Sequence, residues 1–307
     1  MRNTFILHHY EMSPYAEKIR LMFGLTGSHW YSSLTSVQPP RPGVDPLAGG
    51  YRRVPVAQVG ADVFCDTALI AQEIAEATAT PALDPANMDD SSRMLVRQAE
   101  QEAFFAAIGA VPPVRLLGTM LKAFGPLGMY RFAKDRASMM KGGTVRPPKG
   151  EEAKARIRAL VENLEACLAE QSWVAGESAS VADFAVYHPL WLHLLCNRKP
   201  LDAGPEVREW YQRVAAIGHG QREEISAADA FAAARETQPR ALPEGDNADT
   251  ALLGKSVEVA PCDYALIPVT GTLVAYREDR IVVARDTSEF GVIHNHFPRS
   301  GYAVTAK

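Results

Sequence analysis

The sequence contains no Cys-x-x-Cys pair. Its four cysteines, Cys65, Cys167, Cys196 and Cys262, are scattered without metal-ligand spacing. That pattern excludes a zinc ribbon and an internal dithiol cycle, and it points to a reduced, cytoplasmic setting. Long hydrophobic runs are missing too: none approaches the roughly 18 residues of a membrane-spanning helix. The start, MRNTFILHHYEM, carries only a short apolar stretch before two histidines and does not read as a signal peptide. Charge of one sign is also lacking. A net charge of −4 gives no reason to expect nucleic acid or an anionic membrane as partner. What remains is an ordinary soluble composition, 47% hydrophobic and 22% charged over 307 residues, long enough for two domains and a small third.

The chain is organised around two stretches near its start. In TFILHHYEMSPYAEKIRLMFGL, Phe5, Ile6 and Leu7 suit a buried strand, and from Pro14 the apolar positions Tyr15, Ile19, Met22 and Phe23 recur at helical spacing. Ser13 directly precedes Pro14, the order of an N-cap followed by the first helical residue. A strand thus feeds a loop that ends at a helix N-terminus bearing a hydroxyl. In RRVPVAQVGADVFCDTALIAQEI, a strand begins at Val56, turns at Gly60 and returns through Val63 to Cys65, and Asp66 with Thr67 opens another helix. Proline within a strand run either marks an edge or a cis bond, here Val54–Pro55, that turns the Val54 backbone outward to meet an extended ligand. Asp66 and Thr67 place a carboxylate and a hydroxyl beside free helix amides, a seat for an anion next to an amine.

This order of strand, Ser-Pro-Tyr helix, strand, Val-Pro-Val and Asp-Thr helix resembles the thioredoxin-like N-terminal domain of cytosolic glutathione transferases. Further on, SWVAGESASVADFAVYHPL is similar to that family's helical domain, with Ser180 and Asp183 as its buried capping box. The resemblance covers about Met1 to Arg235. It implies an α+β protein with a thioredoxin-like domain over 1–82, an all-helical electrophile-binding domain over 88–236 and, outside the family pattern, a β-rich C-terminal extension over 250–307. It also implies that Ser13 donates to the glutathione sulfur, that Val54 at Pro55 pairs with the cysteinyl backbone, and that Asp66 and Thr67 hold the γ-glutamyl end. Tyr10 is the other candidate for the sulfur contact, and Ser13 matches the serine and cysteine classes better because it precedes Pro-Tyr-Ala-Glu-Lys. A homodimer is the family's usual state.

The rest of the chain is read from pattern. The proline-rich 37–50 stretch forbids a regular helix, and Arg53, with Arg52, either faces the glycyl carboxylate of glutathione or is a solvated charge. Residues 81–90 form a linker, and Ser91 or Ser92 caps the next helix. Met120, Met129, Met139 and Met140 lie in an apolar region broken at Gly125 and Pro126, as adaptable core or as lining of an apolar pocket. Ser180 and Asp183 satisfy the capping-box rule, and the helix they open is apolar on nearly all sides, so Asp183 reads as structural. His188 and His193, five apart, do not share a face. A second linker spans 237–249. Short runs of Val, Ile, Tyr and Thr follow, with a hairpin at Arg277–Asp279, in a segment small enough to need the body or a partner subunit. His294 and His296 share a strand side, but no third ligand is identifiable and no metal is expected.

Without a dithiol, thiol chemistry at such a site falls to a bound thiol. The function expected is therefore activation of glutathione, as cosubstrate, for attack on an apolar electrophile. The alternative is a glutathione-binding or scaffold protein of the same fold.

Overall fold

A computed structural model describes residues 4–242, 247, 248 and 250–307. The first three residues of the 1–82 unit and part of the 237–249 linker lie outside the described residues. Strand β1 (Ile6–His9), helix α1 (Pro14–Leu25) and strand β2 (His29–Leu34) form a parallel crossover, with Ile6 opposite Tyr31. Strands β3 (Val56–Val59) and β4 (Asp62–Cys65) follow as an antiparallel pair beside β1, and α3 (Thr67–Ala77) covers them. The proline-rich stretch differs from expectation by one turn of helix, α2 (Asp45–Ala48). Its Pro46 sits in the first turn, where a missing N–H costs nothing.

The helical part runs through α4 (Asp90–Arg97), a π-helical segment over Gln98–Ala103, α5 (Phe104–Gly109), α6 (Pro113–Met140), α7 (Gly150–Leu168), α8 (Val181–Asn197) and α9 (Pro205–Ala216). Helix α4 is capped by Asp89, whose carboxylate accepts from the Ser92 N–H at 2.8 Å, and not by either serine. Both serine hydroxyls instead donate to Asp89. Helix α6 kinks at Gly125, whose φ of 64° only glycine adopts readily, with Pro126 next to it. Among the described residues no single helix is long and apolar enough to cross a membrane.

The capping box at α8 is built as its sequence requires. Asp183 is fully buried. Its Oδ2 accepts from the Ser180 N–H at 2.9 Å and the Ser180 hydroxyl at 3.0 Å, while Oδ1 accepts from the Val174 N–H at 2.9 Å and the Trp210 indole at 2.8 Å. Burial pushes this carboxyl up from the usual range, and the four donors oppose it. One side chain therefore ties the start of α8, the preceding loop and α9 together.

The C-terminal region does not stand apart. After β5 (Gln221–Glu224) and α10 (Ala227–Arg235), strands β6 (Ser256–Pro261), β7 (Val269–Tyr276), β8 (Arg280–Thr287), β9 (Gly291–Pro298) and β10 (Tyr302–Ala306) form an antiparallel array. The hairpin read at Arg277–Asp279 joins β7 to β8. Strand β9 then lies parallel beside β4, with Asp62 opposite His294, so one ten-stranded sheet runs in the order β10-β6-β7-β8-β9-β4-β3-β1-β2-β5. Val56, Val63 and Cys65 share a core with Val257, Val269, Ile281 and Phe297. The edge that β4 would otherwise expose is covered, and a segment too small to bury its own core borrows that of the first domain.

Candidate active site

The loop after β1 closes when the Ser13 N–H donates to the Tyr10 carbonyl at 3.0 Å. Ser13 then caps α1, its Oγ accepting from the Ala16 N–H at 3.2 Å. Among the described residues the hydroxyl proton has no acceptor, so it remains available to a ligand at the positive end of the helix. Ser13 and Tyr10 both line a cavity of about 690 Å³. The helical domain supplies its apolar wall, including Phe104, Phe105, Leu116, Met120, Phe132 and Met139. Met120, Met139 and Met140 thus line the pocket, the second of the two readings above, whereas Met129 does not.

The Val54–Pro55 peptide is cis. Val54 and Arg53 line the cavity with Ser13; Pro55, Asp66 and Thr67 do not. Asp66 caps α3 through the Ala68 N–H at 3.1 Å, and its other oxygen accepts from the Tyr302 hydroxyl at 3.1 Å. The structure therefore brings Ser13, Tyr10, Val54 and Arg53 around one space and leaves the acidic helix start behind it. Neither arginine is a solvated surface charge. Arg52 Nη2 donates to both carboxylate oxygens of Asp135 of α6, at 2.6 and 2.5 Å, and Arg53 donates to Asp263 and to the Tyr264 carbonyl.

Tyr264 is a site residue that the sequence did not disclose. It sits between β6 and β7, lines the cavity, and lies under the Arg53 guanidinium at 4.1 Å and edge-on to Phe105 at 5.5 Å. The Ala265 N–H donates to the Met139 carbonyl at 2.7 Å, fixing this loop to α6. No local signal marked it, because its partners come from distant segments.

The neighbouring histidines do not form a base for Ser13. His8 Nε2 meets the Gln58 amide oxygen at 2.9 Å and His9 Nε2 meets Ser32 Oγ at 3.0 Å, and neither ring lines the cavity. Burial lowers His8 to about 4; burial, with the Arg20 and Arg222 charges, lowers His9 to about 3. Both rings are neutral at pH 7 and hold the sheet together. Cys196 also lines the cavity, but burial pushes its thiol up to about 11, so it is no thiolate nucleophile. His188 packs against Tyr15 and Phe104, and the His193 ring meets the Ala107 carbonyl at 2.9 Å.

His294 and His296 do acquire a third neighbour, which corrects the sequence reading. Asp62 Oδ1 lies 2.8 Å from His296 Nε2 and 3.9 Å from His294 Nδ1. Its other oxygen accepts from the Arg240 N–H at 2.9 Å, and the Arg240 guanidinium bridges to Glu73 at 2.8 Å. The trio is knitted into a charged network, with two arginines facing two carboxylates once Arg280 joins Glu73 at 2.6 Å. It lies where β9 meets β4.

The family models for the glutathione S-transferase N-terminal domain and C-terminal domain match residues 7–82 and 125–217. The crystal structure of a GST-like protein from Pseudomonas syringae is 30% identical, covers 99% of this chain and 100% of its own, and superposes with a TM-score of 0.76. The chain belongs to the glutathione S-transferase family. The match to the Pseudomonas protein takes in the C-terminal strands of this chain as well as its two family domains. FzlA from C. crescentus, at 18% identity over 69% of this chain and 87% of its own with a TM-score of 0.50, shares the fold. No curated protein matches this chain.

Proposed function

We propose that the protein is a glutathione-dependent enzyme that seats the glutathione sulfur at the Ser13 hydroxyl and presents it as thiolate to an apolar electrophile in the adjoining cavity. The observation that carries this reading is the Ser13 hydroxyl: a helix cap with an uncommitted proton, on the polar side of a space whose other wall is aromatic and methionine-rich. A free thiol of pKa about 8.5 is only about 3% thiolate at pH 7, and lowering that pKa by about two units makes it roughly three quarters thiolate. The differential stabilisation needed is about 2.7 kcal/mol. One hydrogen bond to an anion, together with the helix end, is of that size. The thiol proton leaves to water; the sulfur then bonds the electrophilic carbon as the leaving group departs with its electron pair. Ser13 stays protonated throughout.

Tyr10, on the same cavity, is the competing donor. Ser13 is preferred because it is the N-cap of α1 and its own N–H is held by the Tyr10 carbonyl.

The second reading, a scaffold of the same fold, draws on one observation: Asp66 is already engaged by Tyr302. Thermal unfolding with and without glutathione separates the two. A ligand that binds only the folded protein stabilises it by about 2.7 kcal/mol at a hundred times its Kd. A rise in Tm that grows with the logarithm of glutathione concentration is the expected result, and a Tm unmoved at millimolar glutathione supports the scaffold.

A further inference from the structure

Where β9 meets β4, two histidines and a carboxylate share one face of the sheet and take no part in the cavity. The parallel register sets Asp62 opposite His294 and Phe64 opposite His296, and the period of a strand turns all four side chains to the same side. The pairing is short, three residue pairs in all, and it is the seam that joins the C-terminal strands to the first domain. Asp62 and His296 are buried, and His296 stacks on Phe64 at 4.7 Å. The His294 side chain keeps 13% of its surface in solvent.

Three electron-pair donors converge here from both strands. Asp62 Oδ1 lies 2.8 Å from His296 Nε2 and 3.9 Å from His294 Nδ1, and the three atoms fall within 4.8 Å of one another. Bonds from zinc to nitrogen and oxygen run at about 2.0–2.2 Å, so two ligands of one ion stand up to about 4.2 Å apart. Both separations from Asp62 are inside that span. His294 Nδ1 is buried without a hydrogen-bond partner, and 3.9 Å from the carboxylate is too far to make one. A buried nitrogen left unmatched is costly, and an ion shared with Asp62 would match it. His296 Nε2 now donates to Asp62, while its Nδ1 is buried and unpartnered. Moving that proton to Nδ1 frees Nε2 as a ligand and leaves the ring neutral.

The surrounding charges favour a cation. Glu73 of α3 spends one oxygen on Arg240 and the other on Arg280, and Arg280 also donates to Asp279. Asp62, Glu73 and Asp279 therefore face two guanidiniums, which leaves the network one negative charge. Arg240 approaches Asp62 only at Oδ2, through its backbone N–H at 2.9 Å and its Nε at 3.6 Å, on the oxygen away from the histidines.

We propose that Asp62, His294 and His296 form a binding site for a divalent transition metal, zinc by the nature of its donors, that staples the C-terminal strands to the first domain. Two imidazoles and one carboxylate suit zinc and not magnesium or calcium, which take oxygen. The role is structural: an ion bound across β4 and β9 reinforces a pairing of three residues and couples metal binding to the stability of the folded chain.

The test uses the full-length protein, stripped of metal by a chelator and free of added thiol, with Zn2+ alone as the probe. Calorimetry is expected to give one Zn2+ per chain at a Kd of about 1 μM or tighter, and Tm to rise with the logarithm of free Zn2+. Mg2+ should do neither. In hydrogen exchange, Zn2+ should slow the amides of β9 beside β4, the His294 N–H bonded to the Ala61 carbonyl at 3.1 Å among them. His294→Ala gives up no side-chain hydrogen bond among the described residues, so it should keep the metal-free Tm of the wild type and lose about 100-fold or more in Zn2+ affinity. Affinity unchanged in that variant would put the ion elsewhere and overturn the site. Exchange at β9 unmoved by Zn2+ overturns the staple, and no uptake by the wild-type protein at about 100 μM overturns both. The response to glutathione is measured separately, so none of these outcomes bears on the reading of the cavity.

Discussion

Replacing Ser13 by alanine is expected to lower kcat/KM for glutathione conjugation at pH 7 by roughly 10- to 100-fold, the span between losing the thiolate fraction and losing the whole anion contact. The fall should depend on pH in a particular direction. If Ser13 lowers the thiol pKa by about two units, the wild-type rate rises through a pKa near 6.5 and levels off, whereas the variant keeps rising until the free value of about 8.5. The two curves therefore converge above pH 9 or so. A Tyr10→Phe protein should retain the wild-type profile. Because Ser13 also caps α1, alanine should cost about 1 kcal/mol of stability, and glycine only a few tenths. Ser13→Gly thus provides a variant that loses the hydroxyl at little cost to the fold, and it should show the same kinetic defect. A loss of less than about threefold in both variants, with collapse in Tyr10→Phe, transfers the sulfur contact to Tyr10.

The second large effect is on stability and lies far from the cavity. Asp183→Ala is expected to destabilise the protein by about 4 kcal/mol or more, read as a fall in the urea midpoint. Four donors converge on that carboxylate: the Val174 and Ser180 amides, the Ser180 hydroxyl and the Trp210 indole. Alanine fills less space and leaves them without an acceptor in a fully buried place. Each orphaned buried donor costs about 1–3 kcal/mol, and relaxation prevents the sum from being reached. Asp183→Asn keeps the shape but turns an N–H toward other donors, so its cost should fall between wild type and alanine. Since Asp183 holds the loop at Val174 and helix α9 as well as its own helix, a loss below about 1 kcal/mol would mean that water or another acceptor reaches the cap.

What could be read from the sequence follows the range of the interactions. Ser13 before Pro14, Asp66 before Thr67, and Ser180 with Asp183 are all signals contained within four residues, and each caps the helix it announces. Even here the local rule slipped once. At Asp89-Asp90-Ser91-Ser92 several capping residues adjoin, and the choice of Asp89 depends on the helix register, which the core-facing Leu95 and Val96 set.

The longer-range features were out of reach. The four residues of β5 are polar and mostly exposed, so they carry no alternation, and only pairing with β2 makes them a strand. The parallel pairing of β9 with β4 joins segments from the two ends of the chain, and with it come Asp62 beside His294 and His296 and Tyr302 beside Asp66. The extension reads as β from its composition, but its placement against the first domain, and so its share in the cavity through Tyr264, is a property of the folded core. The sequence leaves Arg52 and Arg53 open between a ligand contact and solvated charge, and only Asp135 and Asp263 opposite them exclude the second.

The central claim is that the bound thiol is held as an anion at Ser13, and the most direct measurement is a pH titration of the ultraviolet thiolate band of glutathione bound to the wild-type protein. The account predicts an apparent pKa about two units below the free thiol's value of about 8.5, returning most of the way in Ser13→Ala. A bound thiol that titrates at its free value in the wild-type protein would contradict it.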